Sequence, residues 1–246
     1  MEWTDDAIVL GARRHGESSV VLELMTRERG RHLGLVRGGR SRRMTPTLQP
    51  GNTVRARWWA RLDEHLGMLA VETLVARAAD LMQTTVGLDG VQTVAAHLRL
   101  LAERDPHPEL YDAAEIVVTH LGEPRLAGEL VVRFEVAMLE ALGFGLDLFE
   151  CALTGATEDL AWVSPKTGRA ASRAAGRPYA DRLLPLPAFL AGHPDFAAAG
   201  RITVPADDLA QGFRLTGHFL ARNVWEPRGL APPATREGLV AAVTRM

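Results

Sequence analysis

The sequence predicts an α+β chain of more than one domain: a small five-stranded β-barrel at the N-terminus, then a helical domain carrying an irregular loop insert. Two observations predict it. Apolar residues recur with a period of two up to about Ala76, and with a period of 3.6 beyond it. A stretch dense in Gly and Pro, residues 147–188, then interrupts the helical pattern. With 246 residues, 47% of them apolar and 24% charged, the chain can bury a core and is not disordered in composition. The expected domains are residues 1–78 and 79–246.

The strands come first. Ile8-Val9-Leu10 is a short apolar run that leads into a turn segment, Arg13-Arg14-His15-Gly16-Glu17. Ser18 to Met25 is rich in Val and Leu, Gly30 closes a turn, and His32 to Val36 follows. Thr53 to Ala60 and Leu66 to Val75 complete five short strands. Five strands in so few residues, joined by polar loops, fit a small closed barrel of the OB type, and an SH3-like barrel fits the spacing nearly as well.

The helices follow. Val91, Val94, Ala95, Leu98 and Leu101 share one face. Leu110, Ala113, Ala114, Val117 and Leu121 form a second, and Leu126, Leu130, Phe134, Ala137, Met138 and Ala141 a third. Breaks fall at Asp105-Pro106-His107-Pro108 and at Gly122-Glu123-Pro124. After the insert, Pro205-Ala206-Asp207-Asp208 opens a helix expected to run to about Trp225, and Thr235 caps a last short one. The carboxylate pair Asp207-Asp208 reads as dipole-complementing residues of a first turn, not as a catalytic pair.

Charge is unevenly spread. Residues 1–61 hold twelve arginines against six acidic residues, a net of +6, while the remainder holds a net of −8. A basic N-terminal segment on an acidic body points to an anionic partner for that segment. The strand Thr53–Arg61 is the sharpest local signal. Alternation sends Val54, Ala56 and Trp58 to one face, and Arg55, Arg57, Trp59 and Arg61 to the other. The first set can fill a barrel. The second interleaves cations with a flat ring, which is what single-stranded nucleic acid needs for phosphate neutralisation and base stacking. The same pattern also fits a solvated face whose Trp59 packs on a neighbouring helix.

A second cluster, Arg37-Gly38-Gly39-Arg40-Ser41-Arg42-Arg43, sets four arginines beside two glycines. Glycine lets backbone approach phosphate closely, and guanidinium forks grip it bidentately. Its glycines also suggest a mobile backbone. Arg13 and Arg14 add cations in the first connection, whereas the connection Leu62-Asp63-Glu64-His65 is mixed in charge.

Catalytic templates are absent. There is no P-loop, since the single lysine, Lys166, follows Pro165. No His-Glu-x-x-His, Gly-x-Ser-x-Gly or strand-linked dinucleotide fingerprint occurs. No clustered Asp/Glu/His set suggests a metal-assisted nuclease. The sequence therefore implies no enzyme and no cofactor. One cysteine, Cys151, excludes an intrachain disulfide. Its surroundings look like a degenerate zinc ribbon in which the other three ligand positions fall on Thr154, Ser172 and Ala175. Zinc is expected to be absent, with Cys151 a small buried hydrophobe. The acidic N-terminus and the lack of a long apolar run point to the cytosol.

Together these residues resemble the RecO family of bacterial recombination mediators. The likeness begins at Ile8-Val9-Leu10, Gly16-Glu17-Ser18-Ser19, Thr26, Gly30-Arg31 and Gly38. It resumes at Phe134-Glu135, Leu139, Leu142-Gly143-Phe144, Asp147-Leu148 and Cys151-Ala152-Leu153-Thr154-Gly155. Residues 77–125 and 190–246 match only in general helical character. The resemblance implies an OB domain before a helical domain, and a non-enzymatic mediator of DNA repair and homologous recombination in the RecF pathway. Such a protein binds single- and double-stranded DNA and anneals complementary strands. It works with RecR and the single-strand-binding protein, and it helps load the RecA recombinase. Arg13, Arg14, Arg37, Arg40, Arg42, Arg43, Arg55, Arg57, Trp59 and Arg61 are then the expected DNA contacts. Arg169 and Arg173 are the candidates for holding the acidic tail of the single-strand-binding protein. The alternative is an OB-fold RNA-binding or assembly module with no recombination role.

Overall fold

A computed structural model describes residues 1–62, 64–192, 196, 199–200 and 203–245. Strands β1 (Glu2–His15), β2 (Ser19–Thr26), β3 (Gly30–Val36), β4 (Thr53–Trp59) and β5 (Met68–Val75) close into a barrel in the order β1-β2-β3-β5-β4. β1 serves both neighbours. Its first half pairs with β4 and its second half with β2, with a register shift between Val9 and Gly11. That irregularity lets one long strand bend across two partners. Closure rests on one parallel pair, Leu35 with Met68, and on the Leu35 amide donating to the Gly67 carbonyl at 3.0 Å.

Alternation explains the filling. Ala7, Val9, Leu22, Leu24, Val54, Ala56, Trp58 and Leu69 form one buried cluster, with Leu48 reaching in from the β3–β4 connection. Trp58 is fully buried, and its indole N–H donates to the Leu66 carbonyl at 3.0 Å. Trp3 stacks on it, with ring centroids 5.8 Å apart. Gly67, at φ +67°, passes so close that an added Cβ would lie 2.3 Å from Trp58 Nε1, so this turn needs glycine on both counts.

Compactness divides the chain into Met1–Gly122 and Glu123–Met246, which counts the first helices with the barrel. These are α1 (Ala78–Leu81), α2 (Thr85–Leu98) and α3 (Pro108–His120). Thr84 caps α2 by accepting from the Gly87 amide, and Pro108 opens α3. Buffering of arginine charge begins here: Arg27 donates twice to Asp112, at 2.9 and 2.8 Å, and Arg31 and Arg99 both grip Glu23.

The second unit is built on α4 (Pro124–Ala141), α6 (Ala206–Leu220) and α7 (Ala234–Thr244). Glu135 of α4 is fully buried and accepts from Arg236 of α7 at 2.7 and 2.9 Å and from the Thr216 hydroxyl of α6. Glu129 and Arg133 form an i,i+4 pair at 2.8 Å on α4, both almost wholly buried. Two expectations change here. The helix from Ala206 gives way at Ala221 to a π-turn, Ala221–Trp225, in which the Glu226 amide reaches back to the Ala221 carbonyl. The last helix is preceded by Pro233, not capped by Thr235, and no side chain caps it.

The expected irregular insert also contains a three-stranded antiparallel sheet: β6 (Leu160–Val163), β7 (Ala170–Ser172) and β8 (Leu184–Pro185), in the order β7-β6-β8. A short helix α5 (Arg173–Gly176) and a 3-10 turn (Arg177–Arg182) follow β7. Gly168, at φ +71°, makes the hairpin turn between β6 and β7, and its amide donates to the Ser164 carbonyl at 2.9 Å. The glycine that marked a loop in the sequence is therefore hairpin punctuation.

Candidate nucleic-acid interface

β4 places its side chains as alternation requires. Val54, Ala56 and Trp58 are fully buried, whereas Arg55, Arg57 and Trp59 face outward. Trp59 is 37% exposed. Its neighbours on that face are not bare cations. Arg55 pairs with Asp6 of β1, and Arg57 pairs with Glu2 at 2.5 Å. The Arg57 hydrogen bond holds the Glu2 carboxyl below the usual carboxylate range, and the same bond raises Arg57. The Arg57 guanidinium also lies over the Trp59 ring, 5.7 Å from its centroid. The sequence hides these pairs because its apolar run starts only near Ile8, whereas β1 begins at Glu2. The acidic run Glu2, Asp5, Asp6 was the available signal: it is strand, paired residue for residue with β4.

Arg13 and Arg14 lie within β1, paired with Val21 and Val20, and not in the connection, which is correspondingly shorter. Both are exposed. Arg37, Arg40, Arg42 and Arg43 are exposed on the β3–β4 connection. That connection is tied down, contrary to the mobile backbone its glycines suggested. Ser41's carbonyl accepts the amide and the hydroxyl of Thr45, and Leu48 plugs the barrel end. The Arg40 amide donates to the Ser18 carbonyl at 3.1 Å, and its guanidinium reaches the Gly16 and Glu17 carbonyls of the β1–β2 turn. The connection and the end of the β1–β2 hairpin are thus brought together. Among the described residues, Arg13, Arg14, Arg37, Arg40, Arg42, Arg43 and Arg61 enter no ion pair. Asp63, in the connection beyond Arg61, lies outside the described residues.

Where β3 and β5 meet in a single pair, two hollows of about 400 and 410 Å³ open, and Trp59 and Met68 line both. Arg37, Met44 and Val71 complete one, and Arg61, His65 and Leu66 the other. A third hollow of about 620 Å³ lies beside Arg13, between the barrel and α2, with Gln49 and Gln92 in its wall. Sequence reasoning found neither Met68 nor Gln92, whose positions depend on register and helix docking.

In the second unit, Arg169 contacts Asp147 at 3.2 Å and Glu150 at 3.7 Å, and Arg173 contacts Asp159 at 3.0 Å. Cys151 is buried. Burial alone would push its thiol up. Hydrogen bonds from the Thr154 hydroxyl, the Ser172 and Leu153 amides and the Ser172 hydroxyl outweigh that and bring it down to about 6. Two of the three altered ligand positions therefore converge on the sulfur, and the Ala175 amide donates to the Ser172 hydroxyl. Among the described residues no group of three or more His, Cys, Asp or Glu could hold a metal ion, so the likeness to a zinc ribbon has no ligand set behind it.

The family model described as recombination protein O N terminal matches residues 1–77, and the one described as recombination protein O C terminal matches residues 97–229. The chain belongs to the RecO family. It is 60% identical to the DNA repair protein RecO of Chelativorans sp. (strain BNC1) over 245 residues, 100% of this chain and 96% of that protein. It is 59% identical to the DNA repair protein RecO of Rhizobium etli (strain CIAT 652), covering 93% of it. It is 55% identical to that of Brucella abortus (strain 2308), covering 97%. RecO membership carries a role in DNA repair and recombination. No helix among the described residues is long and apolar enough to cross a membrane.

Proposed function

We propose that this chain is a recombination mediator of the RecF pathway in the cytosol that binds single- and double-stranded DNA, anneals complementary strands and catalyses no bond-breaking step. Residues 1–78 are its nucleic-acid-binding OB domain. The observation that carries this reading is the exposed arginine set on one barrel, Arg13, Arg14, Arg37, Arg40, Arg42, Arg43 and Arg61, with Arg37 and Arg61 lining the hollows at the exposed ring of Trp59. Arg55 and Arg57 belong to the same surface once they exchange carboxylate for phosphate. Two DNA strands repel each other, and a surface that neutralises phosphates lowers that repulsion. If base edges stay outward while phosphates are held, a second strand can pair.

The acidic remainder of the chain suits protein partners better than DNA, because its net of −8 repels phosphate. Its partners in this reading are RecR and the single-strand-binding protein, with Arg169 and Arg173 near the latter's acidic tail, and RecA is loaded on the strand so cleared. Annealing of two complementary oligonucleotides, followed by fluorescence quenching at low salt, tests the reading. The expected result is acceleration that disappears as salt rises. No acceleration at any protein concentration would remove annealing from it.

A further inference from the structure

The barrel seam holds a feature that a general basic face does not require. β3 and β5 share a single register pair, Leu35 with Met68, beside the Leu35 amide that donates to the Gly67 carbonyl. Met68 lies opposite Trp59 across β4 and β5. The two side chains make a ridge with a hollow of about 400 Å³ on one flank and about 410 Å³ on the other. Each lies within the size range of a small-ligand site. Among the described residues neither has a carboxylate in its lining, and each has one arginine, Arg37 or Arg61. Among the described residues neither arginine is in an ion pair. An apolar floor with one cation at its edge matches a nucleobase and its phosphate.

We propose that the Trp59–Met68 ridge is a two-nucleotide site, a wedge that enters between successive unpaired bases and seats one in each hollow, with phosphates at Arg37 and Arg61. Apolar wedges separate stacked bases elsewhere in this manner. The Arg57 guanidinium lies over the Trp59 ring, 5.7 Å from its centroid. Paired bases cannot leave a duplex stack without losing their partners, so the site selects unpaired strand. The inference rests on the proposed binding of single strands by this barrel.

The test uses the full chain and three fluorescent strands of about 20 nucleotides, long enough to cover one such domain. One is all thymidine. Two are abasic except for two thymidines, placed side by side in one and several units apart in the other. Anisotropy should show the side-by-side strand binding about fivefold or more tighter than the separated one, which is the worth of one additional stacked base. Trp59→Leu, which keeps an apolar side chain but removes the broad π-face, should abolish that difference. Equal affinity for the two placements, with the all-thymidine strand still bound, overturns the wedge and leaves the proposed function intact. Failure to bind even the all-thymidine strand overturns both.

Discussion

Neutralising two carboxylates should strengthen DNA binding on the β4 face. Asp6 and Glu2 hold Arg55 and Arg57, with side chains 41–60% exposed. A strand reaching that face must replace each carboxylate with a phosphate, so the two arginines enter with their charge already met. In Glu2→Gln with Asp6→Asn they are released, and each becomes able to displace a counterion from the strand. Each such contact adds about 0.7 to the slope of log affinity against log salt on single strands, so the slope should steepen by about 1.4. Pairs this exposed add little to stability, so the fold should persist. Glu109→Gln with Glu158→Gln is the control, because it changes net charge equally and removes neither carboxylate that pairs with Arg55 or Arg57. Fluorescence titration of an oligothymidylate at several salt concentrations reads the slope. Arg55→Ala with Arg57→Ala should then flatten it by about 1.4 in the carboxamide background but hardly at all in the parent. An unchanged slope in Glu2→Gln with Asp6→Asn, with circular dichroism intact, would refute the masking and take this face off the DNA path.

The β3–β4 connection should contribute phosphate contacts without base preference: Arg40, Arg42 and Arg43 to Ala should flatten the same slope by roughly 2, alike for different base compositions. In the second unit, Arg236→Ala removes the 2.7 Å ion pair and the paired hydrogen bonds that the fully buried Glu135 carboxylate accepts, and urea unfolding should show a loss of about 3–5 kcal/mol. Cys151 ties stability to pH: its folded thiol lies at about 6, below the ordinary 9.0. A depressed value stabilises above the ordinary value and loses that contribution as pH falls through the folded one. The stability gap between the parent and Cys151→Ala should therefore widen from pH 6 to 9 in urea titrations. Elemental analysis should find no stoichiometric zinc, and a chelator should leave the fold unchanged, because Thr154, Ser172 and Ala175 cannot supply thiolates.

Much of the barrel was legible in the sequence because period two survives wherever one strand face is buried. Val54, Ala56 and Trp58 were assigned inward, and they are. The first turns of β1 were not legible, since Glu2, Asp5 and Asp6 resemble an acidic tail. They are strand, paired with β4 across the ladder, where Glu2 meets Arg57 and Asp6 meets Arg55. The sheet in the second unit was missed for another reason. Its strands are two to four residues long, too short for alternation to show, and Leu160, Ala161 and Val163 are buried with no polar residue between the first two.

The candidate site was legible as residue types and illegible as pairings. Twelve arginines against six acidic residues in the first 61 suggest a cationic N-terminal quarter. The structure sorts them by neighbour: Arg27, Arg31, Arg55 and Arg57 meet acids, and three of those partners, Asp112, Asp6 and Glu2, lie far off in the chain. Such partners are set by register and helix docking, which no local pattern encodes. The consequence is physical. Among the described residues charge is unmasked along the β1–β2 hairpin end and the β3–β4 connection, and masked along β4. On the proposed function, phosphates therefore follow the connection while bases turn toward Trp59. Arg37 joins the two paths, since it opens the connection and also lines a hollow of the Trp59–Met68 ridge.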